Sequence, residues 1–285
     1  MNQQFLVSPA QLQGMDIMGK ESQLLMYPPE IRFEEGPWSW KIPKLPSIEI
    51  TPMIAESRKH RICLTNPKGK FEVYEHVGAA RFSGILAVCL ECKHSRPPYY
   101  GRALEILHTL KMNSCTSKDP MKWYTLKQAV GWVYPDKRNG KVAATRIFPT
   151  NLEQTILHIK CSFSDLGNIE RTYRLPDDDL LEKICTAHAP GRPAWLYHPS
   201  QFAHNLRLGW KHHNHIAWGR EQRNEEVLEG IALHRAQDLL GALSFLCQDG
   251  LFAGEIYSDY SGHFADMEAV NLAYGMLKRL RKEEV

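Results

Sequence analysis

The sequence predicts a mixed α/β protein, of the α+β kind, in two similar halves that each read as strands followed by helices. Three observations carry this. Short β-rich runs recur between Gly- and Pro-containing breaks, and apolar residues fall at helical spacing in several separate stretches. The order of strands then helices also occurs twice, on either side of a lapse in pattern between Met112 and Trp123, although no residue-level repeat is visible. That lapse sets the expected boundary between a first half over residues 1–116 and a second over 117–285.

Residues 1 to about 50 read as irregular by pattern, because Pro28, Pro29, Pro37, Pro43 and Pro46 interrupt any periodicity, with several of those prolines bordering short edge strands. From Ile48 the chain turns strand-like in IEITPMIAE and HRICLTN, then turns at Pro67–Lys70 into KFEVYEH. A helix or tight turn is compatible with the residues from Glu75, and GILAVCLE from Gly84 reads as a buried strand. Tyr100, Ala103, Leu104, Leu107 and Leu110 then follow at helical spacing. The second half opens with QAVGWVYP and KVAATRIFP, joined through the hairpin signal Asn139-Gly140, and continues with QTILHIKCSF and IERTYRL. Asp177 to Ala187 predicts a helix whose acidic start complements the macrodipole. A loop rich in Pro, aromatic residues and His runs from Ala189 to about Lys211. A helix over Glu226–Leu246, a strand near Leu251–Tyr257 and a terminal amphipathic helix carrying Met267, Val270, Ala273, Leu277 and Leu280 complete the chain.

Composition excludes several classes. A hydrophobic fraction of 43% and a charged fraction of 24% are those of an ordinary globular protein. The formal charge of +3 is too small and too dispersed to argue for a nucleic-acid partner. No apolar run is long enough to span a membrane, and the first residues lack the pattern of a signal peptide. Seven cysteines without framework spacing point to reduced thiols and a cytoplasmic address. Phosphate loops of the Walker or dinucleotide type are absent, as is a Gly-x-Ser-x-Gly elbow.

The stretch that organises the chain is Glu226–Leu246 with the Tyr-Ser-Gly-His at 260–263. Val227, Ile231, His234 and Asp238 share one stripe of a helix, so His234 and Asp238 project side by side and can meet one ion. Taken alone, the pair reads first as a chance helical His-x-x-x-Asp, and other parts of the chain are what raise the metal reading. Glu75-His76 is either a solvated turn or a functional pair. His263 precedes a helix and stands either in a capping loop or where an imidazole faces an anion. Lys211 to His215 resembles a metal tract, yet adjacent histidines on a strand point to opposite faces. Cys89-x-x-Cys92 with His94 lacks a second ligand pair and reads as buried thiols.

In this order the pieces resemble the zinc-dependent UDP-3-O-acyl-N-acetylglucosamine deacetylases of lipid A synthesis. EHVGAARFSGI from Glu75 is similar to that family's Glu-His-Leu segment, HRAQDLLGAL from His234 to its His-Lys-x-x-Asp-x-x-Gly-Asp-Leu helix, and Ser261-Gly262-His263 to its Ser-Gly-His turn. The similarity covers roughly residues 58 to 280. It implies two α/β halves packed as a layered sandwich with the site between them. It also implies a zinc site, or iron(II) in its place, held by His76, His234 and Asp238. Glu75 becomes the general base, His263 the cation that steadies the oxyanion or protonates the leaving amine, and Arg235 the counterpart of the family's Lys. Trp210 and Asn214 fall where the resemblance implies substrate contacts.

Departures accompany the matches. Arg235 replaces a compact ammonium with a planar fork. Ala242 stands where the family has the Asp that orients its catalytic His, and Ala187-His188-Ala189 lacks the family's Thr hydroxyl. The loop PGRPAWLYHPSQF is aromatic and basic, which suits a sugar or nucleotide better than a straight lipid chain. The expectation is a cytoplasmic zinc amidase acting on an N-acylated amino sugar or sugar nucleotide. The alternative is a catalytically silent zinc-binding relative that binds a sugar or regulates.

Overall fold

The computed structural model describes residues 1–16, 20–28, 38–42, 44–58, 61–93, 95–98, 103–136, 141–163, 167–187, 189–191, 215–217 and 225–280. The first half contains β1 (Asn2–Leu6), β2 (Ala10–Met15), β3 (Glu21–Tyr27), β4 (Ser39–Lys41), β5 (Ile48–Glu49), β6 (Ala55–Arg58), β7 (Arg61–Asn66), β8 (Gly69–Phe71), α1 (Tyr74–Ala79), β9 (Cys89–Cys92) and α2 (Ala103–Met112). Next come β10 (Ser114–Pro120), β11 (Trp123–Leu126), β12 (Val130–Asp136), β13 (Lys141–Phe148), β14 (Thr155–Phe163), β15 (Gly167–Leu175) and α3 (Asp178–Thr186). The chain closes with β16 (Ala189–Gly191), β17 (His215–Ala217), α4 (Glu225–Leu243), β18 (Leu251–Phe252), β19 (Gly254–Asp259), α5 (His263–Tyr274) and β20 (Leu277–Arg279).

The fold is mixed α/β, and its two five-stranded sheets share one plan. One has the order β2-β3-β9-β4-β5 and the other β12-β13-β19-β14-β15. In each, a hairpin leads in, the last strand in sequence takes the centre, and its far neighbour runs parallel to it while every other pairing is antiparallel. The helices repeat the plan: α1 precedes β9 as α4 precedes β19, and α2 follows β9 as α5 follows β19. The two halves are thus alike in topology although their residues are not.

Burial follows the pleat. Along β15 the buried residues are Ile169, Tyr173 and Leu175, and along β14 Leu157 and Ile159. Each fully buried Leu or Ile contributes about 1.5–3 kcal/mol, so one face of each strand fixes its register. Helices α4 and α5 cover that inner face, α4 over β14 and β15 and α5 over β12 and β13. The halves meet helix to helix, α1 on α4 and α2 on α3. Helix α3 is capped as its acidic start predicts, with the Asp177 carboxylate accepting from the Leu180 N–H at 2.9 Å. No helix of the described residues is long and apolar enough to cross a membrane.

Four sequence expectations change. The described part of the first 50 residues holds five strands where the sequence suggests only short edge strands beside prolines, and β3 alternates strictly between buried and half-exposed residues after Glu21. The lapse after Met112 contains β10, which pairs back to β1. Only Cys89, Leu90 and Glu91 of the GILAVCLE run form strand, as the start of β9; the residues before them are buried without a ladder, with Leu86 N–H bonded to the Gln4 carbonyl at 3.0 Å. The last helix ends at Tyr274, so Leu277 lies in β20 and Leu280 beyond it. The Asn139-Gly140 turn lies outside the described residues, although the strands it joins do pair antiparallel.

Candidate functional site

The short helix α1 carries Glu75 and His76. It is launched by Val73, which sits at φ 60° and ψ 43°. A β-branched residue rarely adopts that left-handed conformation, so the turn is imposed by its surroundings. Those surroundings are tight. A Cβ on Gly78 would lie 2.6 Å from Ser244 Oγ, and one on Gly241 would lie 2.3 Å from the Glu75 carbonyl oxygen and 2.4 Å from its Cα. The main chains of α1 and α4 therefore touch where no side chain fits. Tyr74 anchors the same end, its ring 4.8 Å from that of Phe245 and its hydroxyl accepting from Ser244 Oγ at 3.2 Å.

This contact brings Glu75 and His76 up to the face of α4 that bears His234 and Asp238. The His76 and His234 rings stand 6.2 Å apart, edge to face. Asp238 Oδ2 lies 3.6 Å from His234 Nε2 and 3.8 Å from His263 Nε2. His263 arrives from the opposite side as the first residue of α5, after Gly262, on a turn in which Tyr260 takes φ 52°. The Glu75 carboxylate is 2% exposed and accepts from the Ile62 N–H of β7 at 2.8 Å. It is a buried group, not part of a solvated turn.

Charges follow from that burial. Burial pushes the Glu75 carboxyl up to about 7, against the pull of His263 and the Ile62 N–H and with the added push of the Asp238 charge. Burial pulls His76 down to about 4, helped by His234, and it lowers His234 as well. Burial works against the Asp238 carboxylate, but His234, His263 and Arg235 hold it below its ordinary range. At neutral pH the cluster therefore presents two neutral imidazoles and a carboxylate.

Those are the donor forms a zinc ion takes. Two donors bonded to one tetrahedral zinc at about 2.0–2.1 Å lie about 3.3 Å apart, and two such imidazoles have centroids about 5 Å apart. The His234–Asp238 spacing fits the first figure within a few tenths of an ångström, whereas the His76 ring stands about 1 Å too wide. Among the described residues no three His, Cys, Asp or Glu side chains form a ready-made cage. By residue type and protonation state the cluster fits the metal, with a small inward movement of His76 required.

Behind the cluster lies a buried polar network. Arg235 is 7% exposed, and its Nη2 donates to both Asp266 carboxylate oxygens at 2.6 Å and to Ser261 Oγ at 2.9 Å. Thr145 Oγ1 donates to Asp266 at 2.7 Å, and Ser258 and Ser261 share a 2.9 Å bond. Arg235 is thus tied to α5, with its Nε and Nη1 buried and unpaired. His263 Nδ1 is likewise buried without a partner, and Ala242 has no group to offer it.

Five predicted residues, Glu75, His76, His234, Asp238 and His263, come together, and Arg235 stands one layer behind them. Trp210 and Asn214 lie outside the described residues, as does nearly all of the tract from Lys211 to His215. Cys89 and Cys92 are buried. Asp266 and Gln237 went unremarked in the sequence. An acid one turn after His263 and an uncharged amide within an apolar helix were the available signals. No protein-family model matches the chain, and no curated protein matches it in sequence.

Proposed function

We propose that the protein is a zinc-dependent amide hydrolase that removes an acyl group, acetyl in the simplest case, from an amino sugar or nucleotide-linked sugar. One observation carries the reading: His76, His234, Asp238 and His263, drawn from three distant stretches, cluster half-buried on the side of α4 that meets α1, next to the buried Glu75 carboxylate, a base poised near neutrality. His76, His234 and Asp238 would hold the metal, which when bound supplies the Lewis acidity for water attack on an amide. Glu75 takes the proton of the attacking water, and its pKa of about 7 suits a base that must later return that proton. His263, at the N-terminus of α5, faces the group on which negative charge develops and donates to the leaving amine. The Ile62 N–H holds the Glu75 carboxylate in place.

The test is turnover of a panel of N-acetylated amino sugars and their nucleoside diphosphate conjugates by zinc-loaded protein. Glu75→Gln should retain zinc and lose about 10²–10⁴-fold in rate; undiminished turnover in that variant removes the mechanism. A second reading, a zinc protein that binds sugars without hydrolysing them, is favoured by the unpartnered Nδ1 of His263. It predicts bound zinc and saturable sugar binding with no acetate released.

A further inference from the structure

We propose that Gln237 is a positioning residue for His234: its side-chain oxygen accepts the imidazole Nδ1–H and so leaves the Nε2 lone pair facing Asp238 and His263. The inference rests on the zinc reading for its purpose, though not for its geometry. His234 Nε2 is the nitrogen turned toward the cluster, 3.6 Å from Asp238 Oδ2, which puts Nδ1 on the far side of the ring. That Nδ1 is buried with no hydrogen-bond partner, and so is Oε1 of Gln237. The two residues are three apart on α4, a spacing at which side chains are neighbours. One orphan is a donor in the Nδ1–H tautomer and the other can only accept. Buried unpaired groups of complementary kind side by side are costly separately and resolved together by a small rotation.

The surroundings sharpen the argument. Gln237 is 1% exposed, and Ala236, Leu239, Leu240, Ala242 and Leu243 around it on α4 are buried and apolar. A leucine would fill this position without burying an amide, so an amide here needs a task. Which ring nitrogen of a histidine is free to bind metal is set by the hydrogen bond the other one makes, and removing such a partner typically costs 10–100-fold in metal affinity.

The experiment uses Gln237→Leu and Gln237→Glu in the full chain, with Gln237→Met as the flexible apolar variant should leucine prevent folding. Zn2+ affinity, read by competition with a chromophoric chelator, should fall 10–100-fold in the apolar variants and stay within about threefold of the parent in Gln237→Glu. Ring-nitrogen NMR of the metal-free parent should show His234 as the Nδ1–H tautomer, and the apolar variant should show a mixture. An Nε2–H tautomer in the parent, or an apolar variant with unchanged tautomer and affinity, overturns the proposal. Failure of the parent to bind zinc would instead sink the hydrolase reading, and the metal-free spectra would still decide whether Gln237 holds the ring.

Discussion

Replacing Gly241 with alanine should open the site from behind. The added Cβ would meet the Glu75 carbonyl oxygen at 2.3 Å, about 1.1 Å inside the 3.4 Å at which ordinary contact begins. Cα and the carbonyl carbon of Glu75 stand at 2.4 and 2.7 Å. All three atoms are main chain, so no rotamer change relieves the clash and α1 must back away from α4 by about 1 Å. Metal–ligand bonds tolerate only about 0.2 Å, and His76, whose ring is already 6.2 Å from that of His234, moves in the wrong direction. Zinc affinity should therefore fall at least 10–100-fold. Overpacking of this kind costs about 1–3 kcal/mol, partly offset by the roughly 1 kcal/mol by which alanine outranks glycine in a helix. Net destabilisation should be about 0–2 kcal/mol, or up to several degrees of thermal midpoint at about 2–4 °C per kcal/mol. Gly275→Ala is the control, since nothing lies within 4 Å of its Cβ position. Chelator competition and a thermal melt decide the matter: a Gly241→Ala protein that binds zinc like the parent would refute the claim that main-chain contact sets the spacing.

Two further outcomes follow from buried charge. Asp266→Ala leaves the Arg235 guanidinium buried without its carboxylate and should cost about 3–5 kcal/mol in urea unfolding, whereas Thr145→Val removes one hydrogen bond to the same carboxylate and should cost about 1 kcal/mol; equal effects would show that the ion pair is not the main tie between α4 and α5. Glu72 receives Lys70 at 2.5 Å, Arg96 at 2.8 Å and Arg61 at 2.9 Å. Burial works to raise its carboxyl, but these cations prevail and bring it from 4.5 to about 2. A depressed carboxylate stabilises the fold above its unfolded pKa, so its contribution is complete above about pH 4.5 and lost as pH falls toward 2. The full shift would be worth about 3.4 kcal/mol; because each cation is 30% exposed, solvent screening reduces the expectation to about 1–2 kcal/mol. Glu72→Gln should flatten the stability curve over that window, and a parallel curve would count against it.

What could be read from the sequence was what repeats at a fixed spacing. His234 and Asp238 are four apart on a helix, and that spacing alone placed them together. In the second half β14 and β15 span nine residues each and alternate over much of that length, and were legible for the same reason. In the first half β4 and β5 span only three and two residues among prolines, too few for a period to register, and in β3 the buried Ser22 and half-exposed Leu25 hide the alternation that burial shows. The parting of the last helix from β20 was hidden because Leu277 keeps the helical spacing while its backbone pairs with Leu126. The convergence of His76 and His263 on Asp238 is tertiary; order of motifs raised the expectation, and only packing brings them together. Asp266 stands in the first turn of α5, and the group it holds, Arg235, lies 31 residues away in the chain.

The glycine contact between α1 and α4 also bears on how such a protein can change over generations. These helices occupy equivalent places in the two repeated halves, so the seam between them lies where one copy of the plan meets the other. A separation set by bare backbone does not depend on which apolar side chains fill the space around it. Neighbouring positions can be exchanged one after another, and both sheets repacked, while the reach from one imidazole to the other stays the same. The reach between the two imidazoles is thus insulated from repacking of the interior by Gly78 and Gly241, two residues with no side chain at all.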